Sequence, residues 1–386
     1  MKKILIVTNN MHIAGVQKAL VSLLWAIRDQ YDITLLLFHP GGECRKELPP
    51  EIKVVTAQSP YRYLGMTKYD SLGLLRKLGR SVYAGVTRIF GRKFAISLMA
   101  LGQKKLEGYD AAISYLHNGG EKAFYGGRND FVLRHVSAEK KITFLHCDYT
   151  LCGANTRSNA KQYEKFDVIA ACSQGCADRF LQVHPHLTEK VQVVPNCHRF
   201  DDILQKAEKV PQSFSDDTVN VVTVARLGKE KGVERAVRAI ADLGEEKKKL
   251  HYYVVGDGIS MPLLQQLIKE EKLESTVTLC GMLENPYGHI RGADLLLIPS
   301  YSEAAPLVIG EAASLGTPIL STETSSAREM IEETGFGWVC ENSVEGLRDG
   351  LQKLLTQDSI LEETKTRLIQ TAVNNETAIS QFKKIL

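Results

Sequence analysis

The chain has 386 residues, 44% hydrophobic and 24% charged, with 12 prolines and a formal net charge of +3. That length suits two ordinary domains better than a single core, and the composition excludes low-complexity or collagen-like chains. No run approaches the roughly 18 uninterrupted apolar residues that a membrane-spanning helix needs.

The first ten residues, M-K-K-I-L-I-V-T-N-N, hold only four consecutive apolar positions, too few for the core of a secretory signal. They read as a first strand, and a cytoplasmic location is expected. There the eight cysteines (Cys44, Cys147, Cys152, Cys172, Cys176, Cys197, Cys280 and Cys340) stay reduced. No C-x-x-C pair occurs. Cys172 and Cys176 have helical spacing, but Cys172 ends an apolar strand-like run, so packing rather than metal ligation is expected.

Further strands are predicted at 33–38, 53–55, 111–116, 142–145, 168–171 and 191–194. They are apolar at nearly every position, as in a parallel sheet buried on both faces. Between the first strand and that at 33–38, residues 15–27 have helical periodicity, with Val16, Leu20, Leu23, Leu24 and Ile27 on one side. Segments 70–80 and 82–101 also read as helical. They fall in a strongly basic stretch, 61–106, with ten Lys or Arg residues and the single acid Asp70. Val82, Val86, Ile89, Phe94, Leu98 and Leu101 recur at helical spacing, with Arg88, Arg92 and Lys93 off that stripe. Such a segment signals an anionic membrane surface; a core-facing stripe with a solvated basic face is the plainer account. Nucleic acid competes as the partner, and Tyr61, Tyr63 and Tyr69 do not separate the two.

The polar segment 201–217 reads as an interdomain connection. Alternation then restarts, with strands at 220–225, 252–255, 277–280, 294–299, 318–321 and 338–340. Helices are expected around 231–243, 261–272, 306–315, 326–333 and 344–355. Two such halves predict an α/β protein of two doubly wound domains facing across a cleft. The domains are placed at 1–197 and 198–365, with a final helix over 366–386 available to pack back on the first.

Ligands of doubly wound sheets bind at the carboxyl ends of strands, where helix N-termini offer N–H groups to anions. After 220–225 come Arg226 and Lys231, two cations around a helix start that suit a diphosphate; a solvated turn with ordinary surface charges explains them too. After 252–255 comes G-D-G (256–258), without a full dinucleotide fingerprint, so a tight turn is the simpler reading. The loop 281–287 offers backbone groups to a base edge. After 294–299 comes S-E-A-A-P-L-V-I-G-E-A, with Glu303 in a loop and Glu311 inside a helix that starts near Pro306. Eight residues on one continuous helix would set the two carboxylates about 12 Å and 80° apart, too far for an acid/base pair. A buried Glu311 needs partners, and hydroxyls facing a cleft are expected to supply them.

Together R-L-G-K-E-K-G (226–232), G-D-G, S-E-A-A-P-L-V-I-G-E-A and G-T-P-I-L-S-T resemble the retaining GT-B glycosyltransferases of family 4, whose two glutamates fall on Glu303 and Glu311. The first domain is similar more loosely, through N-N-M-H-I-A-G-V-Q-K-A-L (9–20), F-L-H-C-D (144–148), A-C-S-Q-G (171–175) and V-V-P-N (193–196). N-C-H-R-F (196–200) departs from the family's usual N-G-hydrophobe-D. The resemblance implies a GT-B fold of two Rossmann-like domains, the first holding the acceptor and the second the nucleotide-sugar. It implies that Arg226 and Lys231 neutralise the donor diphosphate and that Glu311 binds the ribose. Glu303 holds sugar hydroxyls beside the backbone of Ala304, Ala305 and Leu307. The loop from Met282 to Asn285 meets the base, Gly256 lies among the donor contacts, Gly15 lets the first loop approach the diphosphate, and His146 reaches the sugar. His12 is a weaker candidate.

The implied function is retaining hexosyl transfer from a nucleotide-sugar, UDP favoured over GDP, in cell-surface polysaccharide or glycolipid synthesis. The acceptor is a saccharide or lipid-linked, reached from a peripheral position on the inner membrane face. No cofactor, no metal and no nucleic acid are expected. Alternatives are a nucleotide-sugar epimerase or hydrolase of the same architecture, and a non-catalytic sugar-binding protein.

Overall fold

The computed structural model describes residues 1–58, 60–67, 70, 73–124, 126–210, 214–215, 217–357 and 359–386. Lys68 and Tyr69 of the basic stretch, and residues 211–213 and 216 of the expected connection, lie outside the described residues. The chain forms two compact units, Met1–Cys197 with Asn375–Leu386, and His198–Asn374. A helix over Ile360–Gln370 runs across the expected boundary at 365 and stays in the second unit; only the segment from Asn375 onward joins the first.

The first unit holds strands β1 (Lys3–Thr8), β2 (Asp32–Leu37), β3 (Lys53–Thr56), β4 (Leu106–Ser114), β5 (Val136–Leu145), β6 (Val168–Ala171) and β7 (Val191–Val193). They form one sheet in the order β3-β2-β1-β4-β5-β6-β7, with every adjacent pair parallel. Because successive side chains point to opposite faces, the run Ile4–Val7 serves two cores. Ile4 and Ile6 pack with Leu20 and Leu24 of the helix Gly15–Ile27 and with Phe382 and Ile385 of the last helix. Leu5 and Val7 pack with Phe38, Tyr61 and Phe131 on the other face. β4 and β5 begin earlier than the sequence suggests: their first halves, L-E-G-Y-D and V-S-A-E-K-K, are only partly covered and so carry polar residues.

The second unit holds β8 (Val219–Val224), β9 (Leu250–Val255), β10 (Val277–Gly281), β11 (Leu295–Ile298), β12 (Ile319–Thr322) and β13 (Gly337–Cys340), all parallel, in the order β10-β9-β8-β11-β12-β13. Strand order reverses between β1 and β4 in the first sheet and between β8 and β11 in the second. Chains leaving those neighbours at their carboxyl ends diverge and leave a crevice. The expected connection at 201–217 contains a helix instead, Phe200–Lys209. Ile203 and Ala207 are buried on one side, while Asp201 and Asp202 occupy its first turn, where the helix dipole favours acids.

The basic stretch forms two helices, Leu74–Phe90 and Arg92–Met99, divided at Gly91 with φ +82°. Its charges are not all on the surface: Arg92 is buried and paired with buried Asp130 at 3.1 Å. Its apolar residues are not all in the core. Val82, Ile89, Phe94, Leu98 and Leu101 of the predicted stripe are exposed, so the core-facing account fails for them, and Leu74, Leu75 and Leu78 before it are exposed as well.

Candidate functional site

The crevice of the second sheet is formed by the segments that follow β8 and β11. After β8 the chain makes a short turn, Lys229–Lys231, passes through Gly232 and enters the helix Val233–Ala241. Gly232 has φ +61°, and a Cβ there would stand 2.2 Å from the Pro299 carbonyl oxygen beyond β11. Only glycine permits this conformation and approach together. Bonds to the main chain help join the segments: Arg235 Nη2 donates to the Pro299 carbonyl at 2.6 Å, and the Tyr301 N–H donates to the Glu230 carbonyl at 2.9 Å. The Arg235 guanidinium also lies 3.7 Å from the centre of the Tyr301 ring.

This frame brings Lys231 and Glu303 together. Glu303 Oε1 accepts from Lys231 Nζ and from the Ser300 hydroxyl, each at 2.7 Å. The Ser325 hydroxyl donates to the Glu303 carbonyl at 2.7 Å and fixes its backbone. The Glu303 side chain is 11% exposed and that of Lys231 25%, so the pair sits at the rim of the crevice rather than in bulk water. Among the described residues, Oε2 has no protein partner and is available to a hydroxyl donor. Arg226 is placed differently: it is mostly exposed and its Nη2 pairs with Glu230 Oε1 at 2.9 Å. Burial pushes the Glu230 carboxyl up, but a backbone N–H, Arg226 and Lys231 outweigh it and hold the value below the ordinary range.

Beyond Glu303, Ala304 and Ala305 form the turn into Pro306, and Leu307 opens the helix Leu307–Ser314. That helix has no side-chain cap and no acid in its first turn, whereas Ser173 and Ser343 cap helices elsewhere. Its N-terminus therefore keeps its affinity for an anion. Glu311 is buried on this helix and accepts from the Tyr287 hydroxyl at 3.3 Å. His198 packs against the same turn, its Nε2 donating to the Leu307 carbonyl at 3.1 Å. Gly310 makes room for it, since a Cβ there would stand 2.5 Å from His198 Nε2. Burial pushes the His198 value down, with Glu311 opposing. Ser300, Tyr287, His198 and Gly310 were not singled out by the sequence reading. Of these only His198 left a signal, because it stands where the N-C-H-R-F segment departs from the family pattern.

Gly256 has φ +142°, and a Cβ there would stand 1.8 Å from the Ala225 carbonyl oxygen, so the turn after β9 requires glycine for its own packing. Met282, beyond β10, is 69% exposed.

In the first unit, Gly15 starts its helix after an extended Ala14, with no side-chain cap and nothing within 4 Å of a Cβ. His12 Nε2 lies 3.0 Å from Asp70 Oδ1 and Nδ1 lies 3.4 Å from Glu43 Oε2. His146 follows β5, its ring against Tyr115 and stacked on Phe144. Burial, with Arg128 adding, pushes it down to about 3, so it is a neutral imidazole. Its Nε2 is sealed from solvent without a hydrogen-bond partner. Beyond the carboxyl end of β1 opens a cavity of about 330 Å³, lined by Asn9, Asn10, Gln17, Arg80 and Arg128 among others.

Residues 205–374 match the family model described as glycosyl transferases group 1. A Campylobacter jejuni relative, N-acetylgalactosamine-N,N'-diacetylbacillosaminyl-diphospho-undecaprenol 4-alpha-N-acetylgalactosaminyltransferase, is 27% identical over 207 residues, 53% of this chain and 55% of that protein. Bacillus anthracis N-acetyl-alpha-D-glucosaminyl L-malate synthase is 25% identical over 260 residues, 64% of this chain and 67% of that protein. The chain spans about half the length of the curated relatives it matches. Among solved structures, Anabaena HepE in complex with UDP has a TM-score of 0.67 at 19% identity, covering 100% of this chain and 98% of that one. WaaG, a glycosyltransferase involved in lipopolysaccharide biosynthesis, has a TM-score of 0.59 at 16% identity, covering 99% and 98%. These likenesses identify the fold as GT-B. The match to the glycosyl transferases group 1 model runs almost end to end through the second unit.

Proposed function

We propose that the protein is a retaining hexosyltransferase that moves a sugar from a UDP-sugar to a saccharide or lipid-linked acceptor at an anionic membrane surface, in polysaccharide or glycolipid synthesis. The observation that carries this reading is the Lys231–Glu303 pair at the reversal point of the second sheet. It sets a cation and a carboxylate with one open oxygen side by side, next to an uncapped helix N-terminus. The diphosphate lies against Lys231 and that N-terminus, with Arg226 turning from Glu230 to join them. Glu303 holds sugar hydroxyls through Oε2, Glu311 takes the ribose, and the Met282 loop takes the base. As the glycosidic bond breaks, negative charge grows on the leaving diphosphate, and fixed cations and dipoles stabilise it without a proton transfer. Transfer at this seat runs without a metal; the chain carries no Asp-x-Asp.

Two further features support the acceptor side. The 330 Å³ cavity beyond β1 has a mixed lining, Leu64, Met66 and Phe124 beside Asn9, Asn10, Gln17 and two arginines, suited to a saccharide with its apolar and hydroxyl faces. The helix Leu74–Phe90, which contributes Arg80 to that cavity, exposes Leu74, Leu75, Leu78 and Ile89 beside Arg76, Lys77 and Arg88. An apolar face with flanking cations lies flat on anionic lipid. No helix among the described residues is long and apolar enough to cross a membrane. HepE has been solved with UDP-glucose, and the Campylobacter relative is named for an undecaprenol-linked acceptor.

UDP release from a panel of UDP-hexoses, with and without polyprenyl-phosphate-linked saccharides and in the absence of added divalent ions, tests the reading. Acceptor-dependent release with an α-linked product supports it. UDP-hexose consumed without any acceptor makes the protein an epimerase or hydrolase instead.

A further inference from the structure

A second cluster of chemically competent side chains lies in the first unit, and sugar transfer does not use it. β4 and β5 are parallel neighbours, with Ser114 beside Thr143, so the residues just beyond their ends meet. His117 comes three residues after β4 and Cys147 two residues after β5. The chain then turns sharply: the Asp148 carbonyl accepts from the N–H groups of Leu151 at 3.2 Å and Cys152 at 3.1 Å. Asp148 Oδ1 accepts from the Thr150 N–H at 3.0 Å. That turn folds Cys152 back over Cys147. One ligand atom from each of His117, Cys147 and Cys152 lies within 4.8 Å of the other two.

We propose that His117, Cys147 and Cys152 form a three-ligand site for a thiophilic divalent ion of the zinc class. Tetrahedral zinc holds sulfur at about 2.3 Å and imidazole nitrogen at about 2.0 Å, which sets neighbouring donors roughly 3.3–3.8 Å apart. One nitrogen and two sulfurs select a borderline-soft ion over magnesium or calcium, which prefer oxygen. Water fills the fourth position.

Two observations converge on the site: the clustering of the three ligand atoms and the state of the His117 ring. His117 Nδ1 is buried without a hydrogen-bond partner, a cost that native structures seldom leave uncompensated. Cys176 stands near but is occupied, its Sγ–H lying 3.2 Å from the Cys147 carbonyl oxygen. Binding converts two thiols to thiolates and releases two protons to solvent. The two thiolates cancel the charge of the ion, so the nearby Arg128 guanidinium does not oppose it. The ion would tie the carboxyl ends of β4 and β5 together. The site belongs to the first unit alone and stands whether or not the chain transfers a sugar.

The test uses the full chain, metal-stripped and reduced with a non-chelating phosphine, titrated with cobalt(II) and then zinc. One equivalent of cobalt is expected to give thiolate-to-metal absorption, which one equivalent of zinc removes. Cys147→Ser, Cys152→Ser and His117→Ala are each expected to weaken binding by roughly 100-fold or more, beyond what loss of an outer-sphere partner costs, whereas Cys176→Ser keeps it. A second readout needs no variant: zinc is expected to protect Cys147 and Cys152 from alkylation, read by peptide mass. The proposal is overturned if excess cobalt gives no such band, or if protection falls on other cysteines. It is also overturned if Cys147 and Cys152 are recovered as a disulfide under the same reductant.

Discussion

Lys231 Nζ and Glu303 Oε1 lie 2.7 Å apart although 72 residues separate them in the chain. Their meeting follows from strand order: β8 and β11 are neighbours, and the segments leaving them diverge around one crevice. In free solution a partly exposed pair of this kind contributes little stability. Its value here is positional, since each charge fixes the other where a donor would lie.

That coupling predicts the outcome of a double-mutant cycle. Glu303→Gln and Lys231→Ala are each expected to lower kcat/KM for UDP-sugar by about 100- to 1000-fold, the range seen when one preorganised electrostatic contact is removed. The double variant is expected to fall well short of the product of the two losses, because residues acting as a unit are not additive. Steady-state UDP release checks this; two fully multiplicative losses would mean that the residues act apart.

Gly232→Ala separates architecture from charge. The added Cβ would stand 2.2 Å from the Pro299 carbonyl at a φ of +61°, so the β8 and β11 segments must part. A loss of about 1–3 kcal/mol in stability is expected from the strain. Activity should drop as well, although no charge is removed. Chemical unfolding and UDP release on the same preparation measure both.

His198 predicts a pH dependence. Its folded value is depressed below the ordinary figure of about 6.5, so the unfolded chain takes up a proton that the folded chain refuses. The contribution is whole above pH of about 6.5 and is lost as pH falls toward the folded value, at no more than about 1.4 kcal/mol per pH unit. His198→Gln, which keeps a donor for the Leu307 carbonyl, is expected to flatten that slope. Urea unfolding followed at Trp338, the tryptophan of the second unit, in a Trp25→Phe background resolves it.

The doubly wound pattern was legible because parallel strands buried on both faces leave uninterrupted apolar runs, such as Ile4–Val7 and Leu295–Ile298. The helix Phe200–Lys209 was not: only Ile203 and Ala207 of its ten residues are buried, and its polar majority reads as a connection. At the candidate site, Glu303 and Lys231 were visible through motif spacing. Ser300 beside Glu303, Tyr287 beside Glu311 and Gly310 beside His198 were not, since a serine, a tyrosine and a glycine are ordinary until the fold sets them against a carboxylate or a ring. Arg92 shows the opposite error. Counted among surface charges, it is buried against Asp130, because a charge count carries no information on which side of a helix faces inward.

The remaining charges of that stretch, with their apolar neighbours, make the final prediction. Leu74 and Leu75 are 84% and 83% exposed, which has no basis in the packing of the first unit. Full burial of one leucine in lipid contributes about 1.5–3 kcal/mol. Replacing Leu74, Leu75 and Leu78 with serine is therefore expected to lower partitioning onto anionic vesicles by more than roughly 100-fold. Each of Arg76→Gln, Lys77→Gln and Arg88→Gln removes about 1 kcal/mol, roughly fivefold, at low salt, and raised salt should shrink that effect while sparing the leucine effect. Folding stability should shift by less than about 0.5 kcal/mol, as for other exposed positions. Vesicle co-sedimentation at two ionic strengths, beside thermal unfolding, measures all three. Binding that survives the triple serine variant at high salt would remove this helix from the membrane contact.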